Sequence, residues 1–318
     1  MEKTFFQING LGISLALPKE KRFREVEEIW DPWVVKRPKT RVSIEVIVRT
    51  VKDLSRFHRQ YHRLLARHLR LMWPHRSFGT IGSRRGRLIA RIFSEKEMGP
   101  ISLYYAVVEP VIHYLMRRLD FHLMHGAGIA RGGRAVVILG KSGAGKSTTS
   151  ALFLLKGFVP LSDDDIILCS GNRGIEALGG EKGIFVNETT LKRFPGLMPL
   201  RNGESRPKRG GVKRLLVPPG LRSRPANPLY GRIRTVIFPA VDPKRRSRLT
   251  RLNPGQALVQ FLDERPNVWP DYLEDPETAA KRLALYHTLS RQADCYRLVL
   301  GKNDSAIQAL IARLADAG

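Results

Sequence analysis

Residues 124–165 read MHGAGIARGGRAVVILGKSGAGKSTTSALFLLKGFVPLSDDD, and the succession of patterns in this stretch decides the fold. Phe121–Ala130 is apolar and extended, Arg131–Arg134 is a turn, and Ala135–Leu139 is a continuous apolar run of the length of a buried strand. A glycine-rich loop follows, then a helix from Lys146 to Lys156 that Gly157 stops, then a short strand ending at Leu161. Strand, loop, helix and strand in that order predict an α/β fold.

Gly140–Ser147 fits G-x-x-x-x-G-K-[ST] at every fixed position, after an apolar strand and at the opening of a helix. The chemistry needs this arrangement. Glycines at 140, 143 and 145 let backbone N–H groups turn inward around phosphate oxygens, and the helix N-terminus adds a field favourable to anions. Lys146 is expected to reach the terminal phosphates and Ser147 to ligate Mg²⁺. The expected nucleotide-binding set is Gly140, Ser142, Gly143, Ala144, Gly145, Lys146, Ser147 and Thr148. The bland alternative is a glycine-rich turn that binds nothing.

Ser162-Asp163-Asp164-Asp165 ends the strand that follows this helix. Carboxylates there lie at the carboxyl edge of the sheet, beside the phosphates. One can hold a metal while another accepts a hydroxyl proton. The alternative is an Asx turn of solvated carboxylates. His125, before Gly126, lies on a strand neighbouring the loop strand. It is read either as a packed core histidine or as a member of the site.

At these residues the chain resembles the catalytic domain of the HPr kinase/phosphorylase family. The signature is a Met-His-Gly, a strand, the phosphate loop, a helix ending in glycine and an Asp pair, and the likeness spans His122–Leu168. The resemblance implies a phosphoenolpyruvate-carboxykinase-like P-loop kinase core on a mixed α+β sheet, ATP and Mg²⁺ as cofactors, and phosphoryl transfer to a serine hydroxyl. It implies catalytic roles for Asp163, as base toward the acceptor, for Lys146, and for His125 near the γ-phosphate. It places the metal on Ser147 and Asp164, and it implies a homo-oligomer. The chain departs from the family at Thr148, where members carry Glu. The family's Leu-Glu-x-Arg-Gly-like stretch, tied to its reverse reaction, has only Glu181-Lys-Gly-Ile as a counterpart. The layout is closer to the HPr-kinase-related serine kinases that accompany peptide biosynthesis.

Outward from this core, residues 101–318 are expected to form the kinase domain and residues 1–100 a smaller accessory domain. In the latter, Phe5–Ile8, Gly12–Leu17, Val42–Val51 and Arg87–Phe93 read as strands. Asp53–Trp73 reads as a helix with Leu54, Phe57, Tyr61, Leu65 and Met72 on one face and five arginines opposite. Ile101–Leu119 reads as a buried helix. Further on, Arg201–Arg224 reads as a basic loop, Arg232–Phe238 and Arg248–Leu252 as a hairpin, and Pro276–Gln292 and Ala306–Ala317 as helices flanking a strand at Tyr296–Leu300.

The 318 residues are 42% hydrophobic and 26% charged, an ordinary globular balance that argues against wholesale disorder. The net charge of +26 attracts polyanions, among them acidic peptides and nucleic acid. No DNA- or RNA-binding fingerprint accompanies it. Two unpaired cysteines, Cys169 and Cys295, argue against a disulfide framework or a Cys-based zinc site and fit a reducing compartment. Met1–Leu17 lacks a charged start before a long apolar run, and no stretch approaches the ~18 apolar residues of a membrane span, so a cytoplasmic protein is expected.

Three function classes emerge. The first is a Mg-ATP-dependent kinase acting on a serine of a peptide or protein acceptor, one of acidic character. The second is a kinase of a small-metabolite hydroxyl. The third is a nucleotide-gated protein that binds nucleic acid through its basic face.

Overall fold

The computed structural model describes residues 2–8, 11–18, 34–36, 38–51, 69–73, 77–95, 99–171, 174–181, 183–208, 211–218, 221, 229–263 and 275–317. The chain divides into two compact units, 1–119 with 269–278, and 120–268 with 279–318. The division expected at residue 100 therefore falls at Leu119.

The first unit is built on a seven-stranded mixed sheet. Its strands are β1 (Glu2–Ile8), β2 (Leu11–Leu17), β3 (Val34–Val35), β4 (Val42–Val51), β5 (Leu69–Trp73), β6 (Ser77–Arg84) and β7 (Arg87–Glu95), in spatial order β3-β1-β2-β4-β7-β6-β5. Strand β4 is central and runs parallel to β2 and β7. Its alternation buries Ile44, Val46 and Val48 completely. Glu45, on the other face, accepts from Lys3 Nζ at 2.9 Å and Arg87 Nη1 at 3.1 Å. Burial raises the pKa of its carboxyl, and the two cations outweigh that and hold it below the usual value.

A π-helical turn, Tyr104–Val108, leads into helix α1 (Glu109–Arg118). Val107 of the turn and Val111, Ile112 and Leu115 of the helix are fully buried. The helix expected over Asp53–Trp73 is corrected at its end. Leu69–Trp73 is a strand, paired antiparallel with Ser77–Ile81. Its residues 53–68 lie outside the described residues.

The second unit carries an eight-stranded mixed sheet. Its strands are β8 (Phe121–Arg131), β9 (Arg134–Leu139), β10 (Val159–Ser162), β11 (Asp165–Gly171), β12 (Gly174–Gly179), β16 (Leu229–Val241), β17 (Arg248–Leu252) and β18 (Asp294–Leu300). A small sheet joins β13 (Ile184–Asn187), β14 (Arg201–Lys208) and β15 (Gly211–Leu216) in the order β13-β15-β14. Helices are α2 (Lys146–Leu154), α3 (Glu188–Arg193), α4 (Pro254–Asp263), α5 (Pro276–Gln292) and α6 (Asp304–Ala317).

Strand β9 shows why its sequence is apolar throughout. Val136 and Ile138 pack in one core with Leu152, Phe153, Ile307 and Ile311, from α2 and α6. Ala135, Val137 and Leu139 pack in a second core with Phe261, Leu285 and Leu289, from α4 and α5. A strand covered on both faces needs apolar residues at every position. The architecture is α/β with mixed sheets.

Two readings in this unit are corrected. Arg201–Lys208 and Gly211–Leu216 form an antiparallel pair rather than a loop. Strands β16 and β17 do not form a hairpin. Strand β18 lies between them, parallel to β16 and antiparallel to β17. The link 242–247 is short, yet α4 and α5 supply the crossover that returns the chain as β18 to fill the gap.

Candidate active site

Strands β9, β16 and β18 are mutually parallel, so Leu139, Val241 and Leu300 mark one carboxyl edge. The phosphate loop emerges there. Gly143 has φ of 85° and Gly145 of 102°, both in the left-handed region. Gly145 caps α2, and a Cβ on it would lie 2.3 Å from Leu300 Cδ1. Only glycine meets both demands, the backbone angle and the close approach of β18. The turn is closed by Ala144 N donating to Lys141 O at 3.1 Å and Thr149 N to Gly145 O at 2.9 Å.

Lys146 is buried at 7% exposure. Its Nζ folds back over its own loop, donating to Gly140 O at 2.6 Å and standing 3.1 Å from His125 Nε2. A lysine ammonium has only donors, so His125 Nε2 accepts. That places the ring proton on Nδ1, which faces Asp165 Oδ1 at 3.5 Å. His125 and Asp165 are direct cross-strand partners on β8 and β11. The neighbouring Gly126 is required because a Cβ there would lie 2.9 Å from Ile138 O and 2.5 Å from Leu139 Cδ2 on the loop strand. The sequence pair His-Gly thus has a division of labour: glycine seats β8 against β9, and histidine meets the loop lysine.

The acidic turn joins β10 to β11, and both strands pair with β8. Ser162 Oγ accepts from Asp165 N at 3.1 Å and ties the turn. Gly126 N donates to Asp164 O at 2.8 Å, fixing the turn to β8. Asp163 is buried at 6% exposure. Its Oδ1 accepts from Ser147 Oγ at 3.3 Å and its Oδ2 from Phe185 N at 3.1 Å. The Ser147 hydroxyl thus meets Asp163, the residue before Asp164. Asp164, half-exposed, is the next residue of the same turn.

Phe185 on β13 was not singled out by sequence, since the contact is a backbone amide that every residue but proline carries. The same holds for Thr190. Its Oγ1 lies 2.9 Å from Thr148 Oγ1, and its amide donates to the capping Asn187 Oδ1 at 2.8 Å. An N-cap Asn followed by Glu188 is the legible part of that signal. Position 148, where the resembled family has Glu, here links the loop helix to α3.

His125, Lys146, Ser147 and Asp163 are thus brought together at one sheet edge, with Asp164 and Asp165 on the turn beside them. The fit to a magnesium nucleotide is chemical. Left-handed glycines leave a curved, donor-rich loop at a helix N-terminus, with a buried lysine at its centre. A hydroxyl and carboxylates adjoin it, the oxygen donors that Mg²⁺ takes. Among the described residues no cluster of three or more His, Cys, Asp and Glu forms a metal cage of protein ligands alone. Both cysteines are buried thiols, and burial, with the nearby Asp294 charge, pushes that of Cys295 up to about 12. No helix among the described residues is long and apolar enough to cross a membrane.

No protein-family model and no curated protein matches the chain. Among solved structures, that of the HPr(Ser) kinase/phosphatase from Coxiella burnetii is similar over 62% of this chain and 99% of that one, at 13% identity and a TM-score of 0.28. A likeness of that degree assigns neither fold nor function.

Proposed function

We propose that the chain is a Mg-ATP-dependent kinase that transfers the γ-phosphate to a serine hydroxyl of a peptide or protein, on a phosphoenolpyruvate-carboxykinase-like P-loop core. The observation that supports it most is the convergence of Lys146 with His125 and of Ser147 with Asp163 at the mouth of the loop. A turn that bound nothing would have no use for a buried lysine aimed at its own carbonyls beside an acidic turn.

In this reading the loop amides and Lys146 hold the phosphates, and Lys146 leaves its carbonyl partners to do so. Ser147 and Asp164 would hold Mg²⁺, which supplies charge neutralisation at the phosphates when bound. Asp163 Oδ2 stays fixed by the Phe185 amide. Its Oδ1, which Ser147 now occupies as a hydroxyl donor, is the oxygen that takes the proton of an acceptor hydroxyl. His125 orients Lys146 from the strand side. Phosphoryl transfer asks little more of a protein than positioning and charge, and these residues supply both.

The test is γ-labelled ATP with Mg²⁺ and a lysate of the protein's own cells. Label in a discrete polypeptide, stable as phosphoserine and absent with Lys146→Ala, is the expected result. Label only in a small molecule supports the metabolite kinase instead. Nucleotide bound with nothing labelled supports a nucleotide-gated binding protein.

A further inference from the structure

The second unit has a concave feature that the kinase chemistry does not use. It is a cavity of about 590 Å³ at strand β17, lined by Arg245, Arg246, Arg248 and Arg297 together with Leu252 and Val299. We propose that this cavity and the outer edge of β17 dock an extended acidic segment of the polypeptide acceptor. The inference deepens the kinase reading and rests on it for the identity of the segment.

Charge comes first. All four arginines are exposed. Among the described residues, one carboxylate reaches one of them: Asp242 Oδ2, 3.0 Å from Arg245 Nε. Arg297 Nη2 donates to the neutral Gln260 Oε1 at 3.3 Å. Arg246 and Arg248 form no ion pair among the described residues. The chain carries 55 lysines and arginines against 29 acids, so these guanidinium forks, which recognise carboxylates in paired hydrogen bonds, have few acids of their own chain to meet.

The platform is also pre-formed. The turn that carries Arg245 and Arg246 is tied to residues after β18: Lys302 N donates to Arg245 O at 3.0 Å, Gly301 N to Ser247 Oγ at 3.2 Å, and Ser247 Oγ to Asn303 O at 3.1 Å. Arginines on a fixed turn lose less freedom on binding than arginines on a free loop.

The form of the ligand follows from β17. It is the terminal strand of its sheet, paired only with β18 among the described residues. Among the described residues no strand pairs with its outer backbone edge, the arrangement to which a strand can be added. Arg248, Thr250 and Leu252 line the cavity, whereas Leu249 packs in the opposite core. A strand laid along β17 presents every second side chain to the cavity, so acids on that face would meet the guanidinium groups, with Val299 and Leu252 at the two ends of the lining.

The placement fixes a spacing. From the phosphate-loop strand β9 the sheet runs β16, β18, β17. An added strand lies about 19 Å from β9 at ~4.8 Å per strand, a gap that about six extended residues span. Arg248 is the partner of Val299 near the carboxyl ends, so the docked segment points toward the edge that holds Lys146. The acceptor serine is expected about six residues from its acidic segment.

The test uses the full chain without nucleotide and a fluorescein-labelled ten-residue peptide alternating Glu and Val, read by anisotropy at physiological salt. Arg246→Glu with Arg248→Glu is expected to weaken binding by about tenfold or more, and Arg297→Gln by less. Lys146→Ala leaves binding unchanged, which separates this surface from the nucleotide site. Methylation of alternate peptide amides also weakens binding, because it removes ladder hydrogen bonds. Equal affinity for the double variant overturns the proposal. So does an N-methylated peptide that binds as well as its parent, or displacement by duplex DNA at lower concentration than by the parent peptide, since either marks a footprint for charge alone. If the peptide docks and no polypeptide is ever labelled, the kinase reading fails and the docking surface stands. If label transfer proceeds equally in the double variant, the docking proposal fails and the kinase reading stands.

Discussion

Gly145→Ala tests the geometry on which the nucleotide site depends. The residue has φ of 102°, and its missing Cβ would stand 2.3 Å from Leu300 Cδ1 and 3.3 Å from Val241 Cγ2. An alanine held in the left-handed region costs about 1–2 kcal/mol. The collision adds about 1–3 kcal/mol, the usual range for overpacking a core. Leu300 is 1% exposed and packed against α6, so its methyl has no open space to swing into. The sum is ~2–5 kcal/mol, measured as the loss of unfolding free energy in urea. A double-mutant cycle separates the two parts. Leu300→Ala alone costs about 2–5 kcal/mol as a buried truncation. In that background Gly145→Ala should cost only the backbone part, so the two changes couple by about 1–3 kcal/mol. A Gly145→Ala protein within 0.5 kcal/mol of the parent, or strict additivity of the two changes, refutes the close approach of β18 to the loop.

Lys146→Ala should weaken Mg-ATP about 10- to 100-fold, the worth of a charge-assisted hydrogen bond to phosphate, as read by calorimetric titration. Asp164→Asn should raise the Mg²⁺ concentration for half-maximal transfer while leaving metal-free nucleotide binding intact. In the first unit, Tyr114 donates to Asp275 Oδ2 at 2.6 Å; burial first and then Asp275 push its hydroxyl up to about 12 from 10.0. A raised pKa favours the neutral form in the fold, so this contribution is complete below pH 10.0 and is lost as pH rises toward about 12. Burial raises the Asp275 carboxyl, but the Tyr114 hydroxyl, the Thr278 amide and hydroxyl and the Arg118 charge outweigh it and leave the carboxyl below its usual value of 3.8. Its contribution is present above that value and lost as pH falls below it. Thermal unfolding across pH should show both limbs in the parent and no alkaline limb from this pair in Tyr114→Phe.

The site was legible in sequence where chemistry is local. The loop Gly140–Ser147, the His125–Gly126 pair and the Asp163–Asp164 turn each announce themselves within a few residues, and their strands are read from apolar runs. What escaped depends on partners distant in the chain. The Phe185 amide that fixes Asp163 carries no side-chain signal, and the Thr148–Thr190 contact spans 42 residues. Arg201–Lys208 and Gly211–Leu216 escaped as strands because Arg, Lys, Gly and Pro interrupt any alternation, although they pair antiparallel. Leu69–Trp73 continued a helical period on paper, yet register with Ser77–Ile81 made it a strand. The place of β18 between β16 and β17 is likewise a property of the crossover, and hairpin rules applied to short neighbours miss it.

The measurement that bears most directly on the account is transfer and nucleotide affinity side by side in Asp163→Asn. The account expects Mg-ATP binding within about threefold of the parent and a fall of about 10²–10⁴ in the rate of phosphoryl transfer to the polypeptide, the worth of a positioned base. Full transfer with binding intact would contradict the role given to Asp163, and rescue of the rate by excess Mg²⁺ would place this carboxylate on the metal instead.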